Sequence, residues 1–450
     1  MRSTKLHVDA IRKLLMAGAT SRLDRMLVRL RPADLANLFG ELSPGETRAL
    51  VEVLFTAERA GITMRELPRE ILPEVLEVLE DQRIAKILER MEPDDAASFL
   101  FALDEERRGP VLELVAEPRQ QELRWHLLYP EESAGSVMTP RVMVVHPDDT
   151  AEQAIDMIRK QGDKFEAASY LYVIDVDRHL LGVVPLRRLI AASPDQPMRQ
   201  LMVADPVSVN AWSDREEAAA IVSRYNLLSL PVVDEQLHLL GIITVDDVID
   251  IIQEEATEDF YRMAGLSGED RVFSPIGRSI VKRYPWMLVN LGTALLAAWV
   301  VGLFQNTIAQ LVSLAVFMPV VAGMGGNGGI QALTVMTRGI ALGELEFARV
   351  SHAFLKELTI GLAIGAGVGA LTALLQYLWQ GNPYLGLVLF LAMTITMITG
   401  GIMGAAVPLF LRAIGRDPAM AAGVIVTTFT DVVGFFTFLG LATLMLTYFQ

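Results

Sequence analysis

The sequence predicts a multidomain chain: an all-α superhelical N domain, an α/β pair, and an all-α transmembrane domain of five helices. Three observations lead there. From residue 284 onward the only basic residues are Arg338, Arg349, Lys356, Arg412 and Arg416, and the only acids are Glu344, Glu346, Glu357, Asp417 and Asp431. The first 283 residues therefore carry the entire net charge of −15, and a soluble acidic part precedes an apolar one. Between residues 136 and 255 a strand-and-helix pattern occurs twice. Before it, apolar residues recur at helical spacing in short stretches. The expected boundaries are 1–130, 131–196, 197–256, 257–283 and 284–450.

Residues 1–130 read as short amphipathic helices. The stretches 30–39 and 88–96, and the one after Asp104, each pair a Pro-acid start with apolar residues at helical spacing. This is the pattern of a loose helical repeat array, a docking module, or of an irregular bundle. No signal peptide is visible after Met1, so this part is expected in the cytoplasm.

In the next part, Tyr172-Val173-Ile174-Asp175 followed by His179-Leu180-Leu181-Gly182 returns as Pro231-Val232-Val233-Asp234 followed by His238-Leu239-Leu240-Gly241. Upstream, Val137-Met138-Thr139-Pro140 is echoed by Leu201-Met202-Val203-Ala204-Asp205-Pro206. A repeat of this length means two packed α/β units. It resembles a tandem pair of cystathionine-β-synthase (CBS) domains. In that family a Ser/Thr-x-x-Asp at the last strand-to-helix junction holds ribose and phosphate. The second copy has Thr244-Val245-Asp246-Asp247; the first has Pro185-Leu186-Arg187-Arg188 and lacks both groups. The resemblance therefore implies at most one standard adenosine nucleotide site, at Thr244 and Asp247, with Arg187 and Arg188 available for phosphate. A purely structural pair stays open.

The helix from residue 244 to 263 carries Asp247, Asp250, Glu254 and Glu258 on one stripe, with Asp246, Glu255 and Asp259 nearby. Like charges at these spacings each destabilise a helix by roughly 0.2–0.5 kcal/mol. The stripe is nearly free of interleaved Lys or Arg and leads straight to the membrane. A solvated acidic face is the plain meaning; oxygen-only ligands at this density also suit Mg²⁺ or Ca²⁺.

Both 284–337 and 358–411 are uncharged and each is long enough for two spans. Spans are expected near 284–304, 312–336, 354–378, 385–411 and 420–447. The loops at 338–353 and 412–419 hold Arg338, Arg349, Arg412 and Arg416, whereas the loops near 305–311 and 379–384 hold no Lys or Arg. The positive-inside rule then puts the N-terminus in the cytoplasm and the C-terminus outside a multi-pass inner (plasma) membrane protein.

Asp431 is the only charged side chain read inside a long apolar run. A carboxylate there costs roughly 2.5–3.5 kcal/mol on insertion scales, and cation compensation makes an ion pathway the expected use. Gly423, Thr427, Asp431, Gly434 and Phe438 share its helical face. The second span is expected to be broken at Pro319 and the glycine cluster 323–329, with freed carbonyls and the Asn327 and Gln331 amides facing a hydrated cation. One Asp per chain is meagre for holding Mg²⁺, but a homodimer would bring two to one axis.

Together these pieces resemble the MgtE-type magnesium channel/transporter family across essentially the whole chain. The specific matches are Glu254-Glu255-Ala256-Thr257-Glu258-Asp259, the Gly325-Gly326-Asn327 run leading to Gln331, and Asp417-Pro418-Ala419 leading to Thr430-Asp431-Val432. The resemblance implies a homodimer in the lipid bilayer whose pore selects Mg²⁺ through Asp431. It also implies cytosolic Mg²⁺ sites among Asp94, Asp95 and the acids of the connecting helix, which acts as a plug; ATP as a regulatory ligand is implied by the CBS resemblance alone. Departures are Ile330 and Ala332 in the pore segment, Val424-Ile425, and Asn226 where relatives carry a sensor Asp. Transport of Mn²⁺, Co²⁺ or Ni²⁺, or a CBS-regulated sensor without transport, are the alternatives. The acidic balance argues against nucleic acid. No Walker A or phosphorylation motif of a pump is present, and the spans hold no nucleophile–base pair of an enzyme.

Overall fold

A computed structural model of the chain describes residues 10–15, 17, 20–56, 59–68, 71–161, 169–266, 276–341, 345, 350–420 and 422–446. They form two compact units, Met1–Gln253 and Glu254–Gln450.

The first unit begins with short helices, among them Pro32–Ala36, Pro44–Thr56, Asp81–Leu88, Pro93–Phe101 and Glu105–Glu113. Pro32 and Pro93 open their helices, where a missing N–H costs nothing. The helices close over a core that includes Leu35, Leu50, Ile84, Leu88, Phe99 and Leu123. Their C-terminal carbonyls, which lack partners inside the helix, are met by arginines about one structural repeat away. Arg59 donates to Leu30 O at 2.9 Å, Arg107 to Leu76 O and Leu79 O at 3.1 and 3.0 Å, and Arg119 to Leu88 O at 3.3 Å. These cross-helix caps tie successive turns of the array together.

The duplicated part forms two sheets. The first has strands β1 (Val144–Val145), β2 (Tyr170–Ile174), β3 (Leu180–Pro185) and β4 (Val203–Ala204); the second has β5 (Val209–Asn210), β6 (Ser229–Val233) and β7 (Leu239–Thr244). In each, a parallel pair is followed by an antiparallel one. The echoed upstream segments are exchanged between the copies. Strand β4, the leader of the second copy, pairs with β3 of the first, and Thr139, in the leader of the first, pairs with Ile242 of β7. The glycine repeated in both copies has its reason here. A Cβ on Gly182 would lie 2.8 Å from Val203 O, and one on Gly241 would lie 2.7 Å from Thr139 O. Residues 162–168 of the first copy lie outside the described ones.

The helix Val245–Met263 follows β7 and runs across the boundary between the units. The connecting segment expected at 257–283 lies partly outside the described residues, at 267–275; helix resumes at Ile276 and runs to Gly302. Among the described residues five helices are long and apolar enough to cross a membrane: Ser279–Gly302, Ser313–Ala341, Val350–Gln380, Pro383–Ala413 and Ala422–Leu444. The fourth span is central, packed on the second, third and fifth.

The expected break in the second span is corrected: Ser313–Ala341 is one helix, with Pro319 and every glycine inside it. Away from water a segment keeps its internal hydrogen bonds, so propensities measured in water do not decide. Gly325, Gly328 and Gly329 serve close packing instead, while a Cβ on Gly323 would meet nothing within 4 Å. A Cβ on Gly400 of the fourth span would lie 2.9 Å from Gly325 O and 3.0 Å from Gly329 N, and one on Gly404 would lie 2.6 Å from Gly329 O. In the third span Gly361, Gly365 and Gly369 meet the fourth in the same way.

Candidate ion pathway and cytosolic acidic sites

The fifth span carries a run of threonines whose hydroxyls turn back onto their own helix. Thr427 donates to Gly423 O at 3.0 Å, Thr428 to Val424 O at 2.6 Å and Thr430 to Thr427 O at 2.9 Å. Gly423, Gly434 and Phe438 are buried, while Thr427 and Asp431 are half-buried. Among the described residues no hydrogen bond or ion pair reaches the Asp431 carboxylate. Its level in the helix bundle is set by its neighbours: Thr430 lies 3.4 Å from a Cβ placed on Gly325, and Gly434 faces Thr396 and Val321.

The second span turns an exposed edge of polar and small residues outward. Gly323, Asn327, Gln331 and Thr334 are all exposed, at spacings that share one face. Gly326 beside them is 3.7 Å from Thr427 Cγ2 by its added Cβ, so this edge borders the Asp431 face one turn away. The two amides sit beside the carboxylate's helix without any unwinding of the backbone.

A second carboxylate lies inside a span, immediately ahead of the uncharged stretch 358–411. Glu357 belongs to the helix Val350–Gln380, is 5% exposed and packs against Gly401 of the fourth span. Its neighbour Lys356 stands 3.7 Å away. Burial by the fourth helix, which sequence spacing does not show, is what distinguishes it.

Within the first unit, Asp94 and Asp95 occupy the first turn of Pro93–Phe101, where the helix dipole favours negative charge. Asp94 is buried. Arg65 lies 3.6 Å from Asp95 and 3.9 Å from Asp246, so one guanidinium stands between an acid of the helical domain and one of the second α/β copy. Thr244 is buried, and its hydroxyl and its N–H both donate to Asp247, the N–H at 3.3 Å. The Asp247 carboxylate thus also accepts the Thr244 N–H at the opening of the helix, one half of a capping box. Arg188 donates to Leu201 O at 2.8 Å and Arg187 is exposed; among the described residues neither bonds Thr244 or Asp247. Asp250 is exposed. Asn226 ends the helix Arg215–Tyr225 with φ 51°, a left-handed cap that suits Asn better than most residues.

In the second unit, Glu254, Glu255, Glu258 and Asp259 are half-buried. Asp259 is pushed up to about 6, first by burial, then by Asp417 and Glu255, with Arg262 opposing. A carboxylate whose charge is disfavoured in this way gains most from a cation nearby. Arg262 is paired with both Glu258 and Asp417. The sequence reading missed Arg65 and Arg262. The i,i+4 spacing of Glu258 and Arg262 was visible, but nothing in sequence joins either arginine to its distant acid.

Known proteins match in the same order. Residues 30–132 fit the model of the MgtE intracellular N domain, 134–195 and 198–254 fit CBS domains, and 318–441 fit the MgtE model, described as a divalent cation transporter. The magnesium transporter MgtE of Bacillus subtilis is 32% identical over 431 residues, 96% of this chain and 95% of that protein. The magnesium transporter MgtE of Thermus thermophilus is 32% identical over 442 residues, 97% and 98% of the two chains. A crystal structure of the cytosolic domain of the Mg²⁺ channel MgtE in complex with ATP is 32% identical, with a TM-score of 0.50, and covers 54% of this chain and 99% of its own. With all its domains matched and near-complete coverage by these relatives, the chain belongs to the MgtE family of magnesium transporters.

Proposed function

We propose that the chain carries Mg²⁺ across the membrane through a pore lined by Asp431, and that cytosolic Mg²⁺ closes the pore by binding the acidic sites. One observation carries this reading: a half-buried carboxylate at mid-span, with no protein partner among the described residues. Such a charge is retained where a cation compensates it. Mg²⁺ loses its water reluctantly, so one or two carboxylates with amides and carbonyls hold it while several waters stay bound. Asn327, Gln331, Thr427 and the Gly423 carbonyl are the neighbours for that hydration shell.

The functional unit is a homodimer. Asn327, Gln331 and Thr334 are exposed on a helix that crosses the membrane, and polar side chains at that depth do not face lipid. A second copy covers this edge and brings two Asp431 carboxylates together. The N-terminal part is cytoplasmic in an inner-membrane protein, with the C-terminus outside, in line with Arg338, Lys356, Arg412 and Arg416 on one side; Arg349 lies outside the described residues. ATP binds the second α/β copy at Thr244 and Asp247 and tunes the response. The relative's structure with ATP and the intact Thr-x-x-Asp pair support this.

The test is ion flux into vesicles reconstituted with the full chain. Asp431→Asn is expected to abolish Mg²⁺-selective flux with the dimer intact. Unchanged Mg²⁺ flux in that variant removes Asp431 from the pathway, and equal flux of Mn²⁺ or Co²⁺ in the parent removes the selectivity.

A further inference from the structure

The end of the connecting helix is fastened to the membrane domain by a cation of the chain itself. The helix stops at Met263 in a Schellman arrangement: Gly265 takes φ +71°, its N–H donates to Arg262 O at 3.0 Å, and the Leu266 N–H reaches Tyr261 O at 2.9 Å. This leaves the Met263 carbonyl facing the fifth span, where a Cβ on Gly423 would lie 2.7 Å from it. Arg262, one residue earlier, pairs with Glu258 on its own helix and with Asp417 in the turn before the fifth span. Asp417 is itself fixed, because its other oxygen accepts the Ala419 N–H at 2.7 Å. Asp259 and Glu255 border the same cluster.

Without Arg262 the Glu258 and Asp417 carboxylates would lose the guanidinium that bridges them. A tethered guanidinium satisfies two of them at once and needs no ion from solution. We propose that Arg262 is a positioning residue, a built-in counter-ion that latches the connecting helix to the turn leading into the Asp431 span. The junction then holds without divalent cations, and the response to Mg²⁺ adds to a contact that is already made. The role in gating rests on the proposed function; the latch itself does not.

The experiment is hydrogen exchange on the full chain in detergent, followed in peptides covering 258–266 and 416–420, with and without millimolar Mg²⁺. In divalent-free buffer the parent is expected to be protected, and Arg262→Gln to exchange roughly tenfold faster there. Millimolar Mg²⁺ should restore protection in Arg262→Gln by replacing the lost charge. Arg262→Lys, which keeps the charge without the fork, should recover most of it unaided. A merely structural loss would respond to neither Mg²⁺ nor Lys. Exchange in Arg262→Gln equal to the parent's overturns the latch, as does a parent that needs Mg²⁺ for its own protection. If Mg²⁺ flux through the parent ignores internal Mg²⁺, the gating reading fails while the exchange result still decides the latch.

Discussion

The Tyr172 hydroxyl meets the Ser229 hydroxyl at 2.8 Å, buried between β2 of the first α/β copy and β6 of the second. Both side chains are almost wholly covered, so neither hydroxyl has water as an alternative partner. Burial pushes the Tyr172 phenol far up from its ordinary range. The bond joins two sheets that also meet through the exchanged leaders and through the pairing of His179 with His238. Tyr172→Phe is expected to cost about 1–2 kcal/mol by stranding the Ser229 hydroxyl. The double variant Tyr172→Phe/Ser229→Ala should recover part of this. Urea unfolding of the full chain, followed in the cytosolic part, measures both.

Gly400 and Gly367 give different expectations for the same substitution. A methyl at Gly400 would meet the second span's backbone at 2.9 and 3.0 Å, whereas at Gly367 nothing lies within 4 Å. Gly400→Ala should force the two spans apart at a cost of about 1–3 kcal/mol. Gly367→Ala should be close to neutral, because no neighbour stands where the methyl would go. Thermal aggregation midpoints of the detergent-solubilised variants separate the two.

His126 makes the helical domain sensitive to acid. Its ring is fully buried and held down to about 4, chiefly by burial, with Glu122 opposing and Arg119 adding to the effect. The unfolded chain takes up a proton near its ordinary value of about 6.5, so it binds more protons than the fold between these two values. The stabilisation is complete above about 6.5 and is lost as pH falls toward 4. From pH 7.5 to 5 the loss is expected to be about 2 kcal/mol. His126→Leu should flatten that slope, as read by urea unfolding across the range.

Neutralising Asp247, Asp250, Glu255, Glu258 and Asp259 together should leave the pore open at internal Mg²⁺ that shuts the parent. Several weak sites acting together reach the roughly 5.5 kcal/mol of a full switch. Patch recording on inside-out membranes measures the Mg²⁺ concentration for half-closure. An unaltered concentration would make the stripe a solvated face and nothing more.

Domain order, the duplication, the five spans and the helical spacing of the carboxylates were legible in the sequence, because each rests on local periodicity or on composition. Asp431 was legible for the same reason: a charge in an apolar run is visible without coordinates. Tertiary structure alone decided the rest. The glycine cluster of the second span signals a broken helix by propensity, yet in a packed bundle the missing side chains admit the fourth span and the helix continues. Glu357 falls within the expected span 354–378, but its burial against the fourth helix comes from packing alone. The pairing of Arg65 with Asp246, and of Arg262 with Asp417, joins residues far apart in the chain. Helical spacing fixes which residues share a face, but which face meets which is set only by packing, where distant charges become neighbours.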